Sequence, residues 1–173
     1  MIVHIIGNGP SKKDFTNDPI GDVYGCNLSD LDRDLTATFI MDKVVLHHIT
    51  NNGLKLKFPV IIPDAYRRIA GNLVILDTIP TLLENGESTG HHGVQYLLRK
   101  RYKQIHLWGF DSLYTESIES DSHTKIPEGI HFDSNWRRWR NNWDKIFNSD
   151  LGRECQFIIH QCPRSSTERA PVF

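Results

Sequence analysis

The stretch IIGNGPSKKDF, residues 5–15, carries an apolar run that begins at Ile2 into a glycine turn and then into polar sequence. Ile2, Val3, Ile5 and Ile6 read as a strand. Gly7 and Gly9 permit close backbone approaches that a β-carbon forbids. Pro10 closes the extended segment. Ser11 and Asp14 have the spacing of a capping box, which predicts a helix over 11–16. Strand, glycine turn and helix start together aim backbone N–H groups at one point, an arrangement that suits a phosphate. A tight βα turn with no ligand has the same residues.

The rest of the chain repeats the alternation. Short runs rich in Val and Ile at 2–6, 22–25, 37–41, 58–62, 73–76, 104–108 and 156–160 read as strands buried on both faces. Helical patterns lie at 11–16, 43–51, 64–70, 91–101 and 135–147. This order predicts an α/β, Rossmann-like fold: one domain over 1–173, with a mostly parallel sheet flanked by helices. One segment, 112–135, is polar and without period. A loop of that length in a compact domain is commonly functional, and it follows a strand end, where open α/β sheets bind ligands.

Composition narrows the function classes. A net charge of −1 argues against a protein that coats nucleic acid. No apolar run reaches the ~20 residues of a membrane span, and the N-terminal run is too short for a secretory signal. Cys26, Cys155 and Cys162 are odd in number and lack CxxC spacing, which points to neither a disulfide framework nor a zinc site. A cytoplasmic protein is the expectation.

If the sheet is parallel, Asn8, Asn27, Asp42 and Asp111 meet at one rim. Asparagine both donates and accepts, so such a set can grip a ribose, a base edge or a phosphate oxygen. In ENGESTGHHGVQYLLRKRYKQIHLWGFD, residues 84–111, Ser88 and Thr89 are placed to cap a helix. Gly90 and Gly93 open its first turn, and Val94, Leu97 and Leu98 form its apolar face. That helix start is a second candidate anion site. The adjacent pairs His47–His48 and His91–His92 point in different directions and do not chelate, so no metal is expected. His123 and His131, in the polar loop, are candidates to accept a proton from a hydroxyl nucleophile. In DSNWRRWRNNWDKIF, residues 133–147, Trp136, Trp139, Trp143 and Ile146 share one helix face. They read as core. The other reading, with Arg137, Arg138 and Arg140 interleaved, is a stacking surface for nucleic acid or another anionic acceptor.

Read in order, IIGNGPS (5–11), DVYGCN (22–27), STGHHGVQYLLRKRYKQIHLWGFD (88–111) and FIIHQCPRSS (157–166) resemble the family 42 glycosyltransferases, bacterial sialyltransferases that use CMP-sialic acid. More distantly they resemble the motility-accessory-factor and MptE-like proteins. The resemblance implies a metal-independent, sialyltransferase-like enzyme that moves a sugar from a nucleotide donor, CMP-sugar first, to a hydroxyl acceptor. That acceptor is a glycan, a small molecule or a nucleic-acid base. It places Asn8 and Gly9 at the nucleotide phosphate and ribose, with Asn27 assisting, and Gly7, Pro10 and Ser11 of the turn and Asp42 of the rim are nucleotide-binding candidates by position beside them. Ser88, Thr89 and Gly90 would line the pocket, and Gly109 and Asp111 its far rim. His131 would be the general base, with His123 second, and Tyr114 would steady the leaving phosphate. The chain is shorter than the characterised sialyltransferases and lacks one of their paired tyrosines. Two alternatives stand beside this reading: a nucleotide sponge or sensor without chemistry, and an MptE-like diphosphokinase using Mg²⁺ and ATP on Asp42 and Asp111. Self-association into a homo-oligomer is left open.

Overall fold

The computed structural model describes residues 1–16, 19–29, 32–80, 87–114 and 136–161, and of Trp136 the backbone alone. Seven strands form one sheet: β1 (Ile2–Ile6), β2 (Asp22–Cys26), β3 (Ala37–Phe39), β4 (Val60–Pro63), β5 (Ile75–Ile79), β6 (Gln104–Trp108) and β7 (Gln156–Ile159). Their spatial order is β5-β4-β3-β2-β1-β6-β7, and all six pairings are parallel. The expected mostly parallel sheet is therefore wholly parallel, in a Rossmann-like α/β domain. The connections run outward from β1 on one side as far as β5, then return to β6 on its other side. The switch point, where such sheets bind ligands, lies between the carboxyl ends of β1 and β6.

Alternation along the strands builds apolar clusters on both faces of the sheet. Val3, Ile5, Phe39, Ile105 and Leu107 face α2 (Thr89–Arg99) and α3 (Trp136–Phe147), which contribute Val94, Leu97, Trp143 and Ile146. Ile40, Val60 and Ile62 face the other way, onto Val45, Leu46 and Ile49 of α1 (Lys43–Asn51). Trp143 is 1% exposed and Trp139 packs partly buried on the same core, so the core reading of the tryptophan face holds for both. Arg140 donates from Nε to the Ser112 carbonyl at 3.0 Å, which turns it inward.

Several elements depart from expectation. The helix expected over 11–16 is a single 3₁₀ turn, Pro10–Asp14, whose N-cap is Gly9 and not Ser11. Five residues with Pro10 at the start leave room for i→i+3 bonds only, such as Lys12 N–H to Gly9 O at 3.3 Å. The segment 64–70 is likewise a 3₁₀ turn, Asp64–Ile69. α2 begins at Thr89 and stops at Arg99, and Arg101 has a φ of 65°. β5 sits two residues later than expected. It is an edge strand, so Asp77 and Thr78 fit within it: Asp77 accepts from the Tyr96 hydroxyl at 2.9 Å and pairs with Lys100 at 3.3 Å. A short helix, α4 (Asp150–Arg153), was not foreseen. Of the polar segment, Ser112 and Leu113 belong to a 3₁₀ turn, Asp111–Leu113, with Tyr114 at its C-cap, and 115–135 lie outside the described residues. No helix among the described residues is long and apolar enough to cross a membrane.

Candidate functional site

The turns after β1 and β6 are zipped together. Gly7 N–H donates to Trp108 O at 2.7 Å and Gly9 N–H to Gly109 O at 2.9 Å. A Cβ on Gly7 would stand 2.5 Å from the Gly109 carbonyl oxygen, and one on Gly9 would stand 2.0 Å from Asp111 Oδ2. The glycines are therefore required by the protein's own chain. Asp111, 5% exposed, completes the clamp. Its Oδ2 accepts from Ser11 N–H at 3.1 Å and from the Ser11 hydroxyl at 3.0 Å, and its Oδ1 accepts from the Tyr114 hydroxyl. Gly109 N–H donates to Ser11 Oγ at 2.9 Å.

Within the 7–11 turn the amides of Gly7, Gly9, Ser11 and Lys12 donate within the protein, Pro10 has none, and the Asp111 carboxylate is the acceptor for Ser11. The Tyr114 hydroxyl donates a hydrogen bond to Asp111 Oδ1.

The helix start is capped as the sequence suggests and packed closely on the protein's own side chains. Ser88 is the N-cap of α2, but Thr89 is its first helical residue and sends its hydroxyl across to the sheet. Cβ atoms on Gly90 and Gly93 would meet Phe110 at 2.3 Å and Ile5 at 2.7 Å, so both glycines lie beneath the protein's own side chains. His91 is structural. Its Nδ1 accepts from Ser88 N–H at 2.8 Å, so Nε2 carries the proton and donates to Trp139 O at 3.0 Å. Burial first, then neighbouring His92, lower its pKa to about 4. His92 Nε2 lies 3.1 Å from Glu87. His123 and His131 lie outside the described residues.

The remaining polar residues of the rim follow β1, β2 and β3. Asn8 donates from Nδ2 to Cys26 O at 3.1 Å, while its Oδ1 is enclosed without a donor. Asn27, held at φ 55° with its N–H on Phe39 O, donates to Asp42 Oδ2 at 2.9 Å. The Thr89 hydroxyl lies 3.0 Å from the same oxygen and 3.2 Å from Asn27 Oδ1. No bond to Asp42 Oδ1 is recorded among the described residues. Asn8, Asn27, Asp42 and Thr89 are thus brought together, whereas Asp111 and Ser11 are sealed behind them.

Two rim residues were missed. Ser29 accepts from Cys26 N–H at 2.8 Å and donates to Ile6 O at 2.9 Å, bolting β1 to β2. Tyr66 is close enough to Asp42 that, after burial, this charge raises its phenol pKa. The polar run after β2 hinted at Ser29, while nothing local marked Tyr66. Burial, then Asp42, push the Cys26 thiol up as well, which keeps it inert. Among the described residues no three His, Cys, Asp or Glu side chains are grouped to hold a metal ion. No family model, curated protein or solved structure matches the chain.

Proposed function

We propose that the rim binds the nucleoside part of a nucleotide and that the chain is a sialyltransferase-like glycosyltransferase using a nucleotide-sugar donor, CMP-sugar first. The observation that carries the binding half is the set of acceptors at the carboxyl ends of β1 to β3. Asn8 Oδ1 is buried without a donor among the described residues, and an unmatched buried acceptor calls for a donor from water or ligand, while half-buried Asp42 beside it has only its Oδ2 engaged by Asn27 and Thr89 among the described residues. Acceptors read hydroxyls and amines, so ribose and base edges suit them better than phosphate oxygens do. The transfer half rests on the resemblance in sequence, with His131 or His123 as base and a hydroxyl as acceptor.

A second reading, capture of a nucleotide without chemistry, is favoured by the closed 7–11 turn. Preorganised donors aimed at a leaving phosphate supply a large share of such catalysis, and here the amides of Gly7, Gly9, Ser11 and Lys12 are engaged internally. The diphosphokinase reading needs Asp111 as a metal ligand, and both its carboxylate oxygens already accept protein hydrogen bonds.

A thermal-shift series with cytidine, CMP, UMP and CMP-sugar tests binding. A ligand at 100 times its Kd is expected to add ~2.7 kcal/mol, and cytidine alone should retain most of the effect. Asp42→Asn, which keeps the shape, should weaken binding at least tenfold by replacing an acceptor with a donor. No shift with any nucleotide would overturn the reading. Release of free CMP from CMP-sugar, lost in His131→Ala or His123→Ala, separates transfer from capture.

A further inference from the structure

We propose that His4, His106 and His160 form a proton-sensitive latch that holds the edge strand β7 on the sheet and releases it on acidification. The three lie on the sheet face opposite α2, on β1, β6 and just beyond the end of β7, with His4 and His106 in register. The rings belong to two hydrogen-bond chains, stacked on each other, that work only with neutral imidazoles. His4 Nε2 lies 3.3 Å from the Ile20 carbonyl, which only accepts, so Nε2 carries the proton. His4 Nδ1 then accepts from Trp108 Nε1–H at 3.2 Å. The Gln104 amide donates to His106 Nε2 at 2.9 Å, which leaves His106 Nδ1–H to donate to His160 Nε2 at 2.9 Å. One proton occupies the gap between His106 and His160. A second would set N–H against N–H.

Stacking tightens the arrangement: Trp108 and His160 have ring centroids 3.3 Å apart, and His4 and His106 4.5 Å apart. Two protonated rings at these separations repel. The charges that act on the three rings among the described residues are one another's, and Arg33 sits 4.9 Å over Phe15, whose ring adjoins His4. Gln104 and Ile158 flank the rings without charge. Burial is the leading cause that lowers all three pKa values, His160 to about 4. The groups stay neutral above the ordinary histidine value of about 6.5, and the stability this gives is lost as pH falls through the lowered values.

The release falls on β7 because it pairs with β6 alone. Its last recorded sheet bond, His160 N–H to Leu107 O at 2.9 Å, belongs to the latch residue itself. The Tyr114 hydroxyl that holds Asp111 also lies 3.5 Å from the His160 carbonyl, so opening reaches the clamp behind the rim.

Amide hydrogen exchange on the full chain, corrected for intrinsic rates, tests this alongside ¹⁵N-imidazole NMR. Between about pH 7 and about pH 4.5, protection at Gln156 and His160 should fall at least tenfold more than at Val3 and Ile5, with the three imidazoles titrating over the same range. His160→Asn, which keeps a polar partner without a titrating ring, should remove that excess acid loss. Imidazoles titrating near 6.5 with β7 still protected, or the same acid loss in His160→Asn, would overturn the latch.

Discussion

Asp111→Ala is expected to lower stability by about 3–5 kcal/mol in urea denaturation, among the largest effects of any single polar substitution in this chain. The carboxylate is buried and accepts from Ser11 N–H, the Ser11 hydroxyl and the Tyr114 hydroxyl. Removing it leaves these donors enclosed without an acceptor, and hydrogen bonds to a charged group are worth roughly 1.5–3 kcal/mol each. Asp111→Asn keeps one acceptor oxygen but turns an NH₂ toward donors, so about half that loss is expected. A second readout follows from the carboxylate standing where a phosphate was anticipated. In Asp111→Ala the freed donors face a carboxylate-sized gap at the switch point, and inorganic phosphate should restore part of the stability where chloride at equal ionic strength does not. A loss below about 1 kcal/mol would mean that the donors of this turn find water, and that the clamp is not closed in solution.

The same clamp shows where sequence reasoning reaches and where it stops. β1 and β6 were legible to the residue, because IVHII and QIHLW are apolar runs flanked by punctuation, and both strands lie in the interior of the sheet. Asn8, Asn27 and Asp42 could be placed on one rim because a parallel sheet brings all its carboxyl ends to one side. The state of their hydrogen bonds could not be read. Ser11 and Asp14 carry the local spacing of a cap, yet Ser11 bonds to Asp111, one hundred residues away. A contact of that separation leaves no periodic trace. Edge strand β5 was displaced for a related reason: Asp77 reads as a strand breaker until Tyr96 and Lys100, on and beyond a later helix, are seen to satisfy it. His91 had no local signature of burial either, since its partners are a cap two residues upstream of Gly90 and a carbonyl on α3.

Trp143→Ala is expected to cost about 3–5 kcal/mol, as truncating a fully buried aromatic does, and to change the acid branch of the stability curve as well. Trp143 is 1% exposed, lies 4.4 Å ring to ring from His91, meets Phe110 edge-on at 5.4 Å and stacks on Phe147 at 5.6 Å. It therefore joins α3 to both α2 and the turn that carries Asp111. It is also much of what keeps water from His91, whose pKa of about 4 comes first from burial. The unfolded chain takes a proton on this ring near the ordinary value of 6.5, the folded chain only near 4. Stability from the neutral ring is thus complete above pH 6.5 and is lost as pH falls toward 4, roughly 3 kcal/mol for this group. Opening a cavity beside the ring lets water in, raises its pKa toward 6.5 and flattens that slope. Trp143→Phe, which keeps a ring against His91, should cost about 1–2 kcal/mol and leave the slope near wild type. Urea titrations of the three proteins between neutral and mildly acid pH separate the contributions, because the latch histidines act equally in all of them. An unchanged acid slope in Trp143→Ala would show that the hydrogen bonds to Ser88 and Trp139, and not the tryptophan, hold His91 neutral.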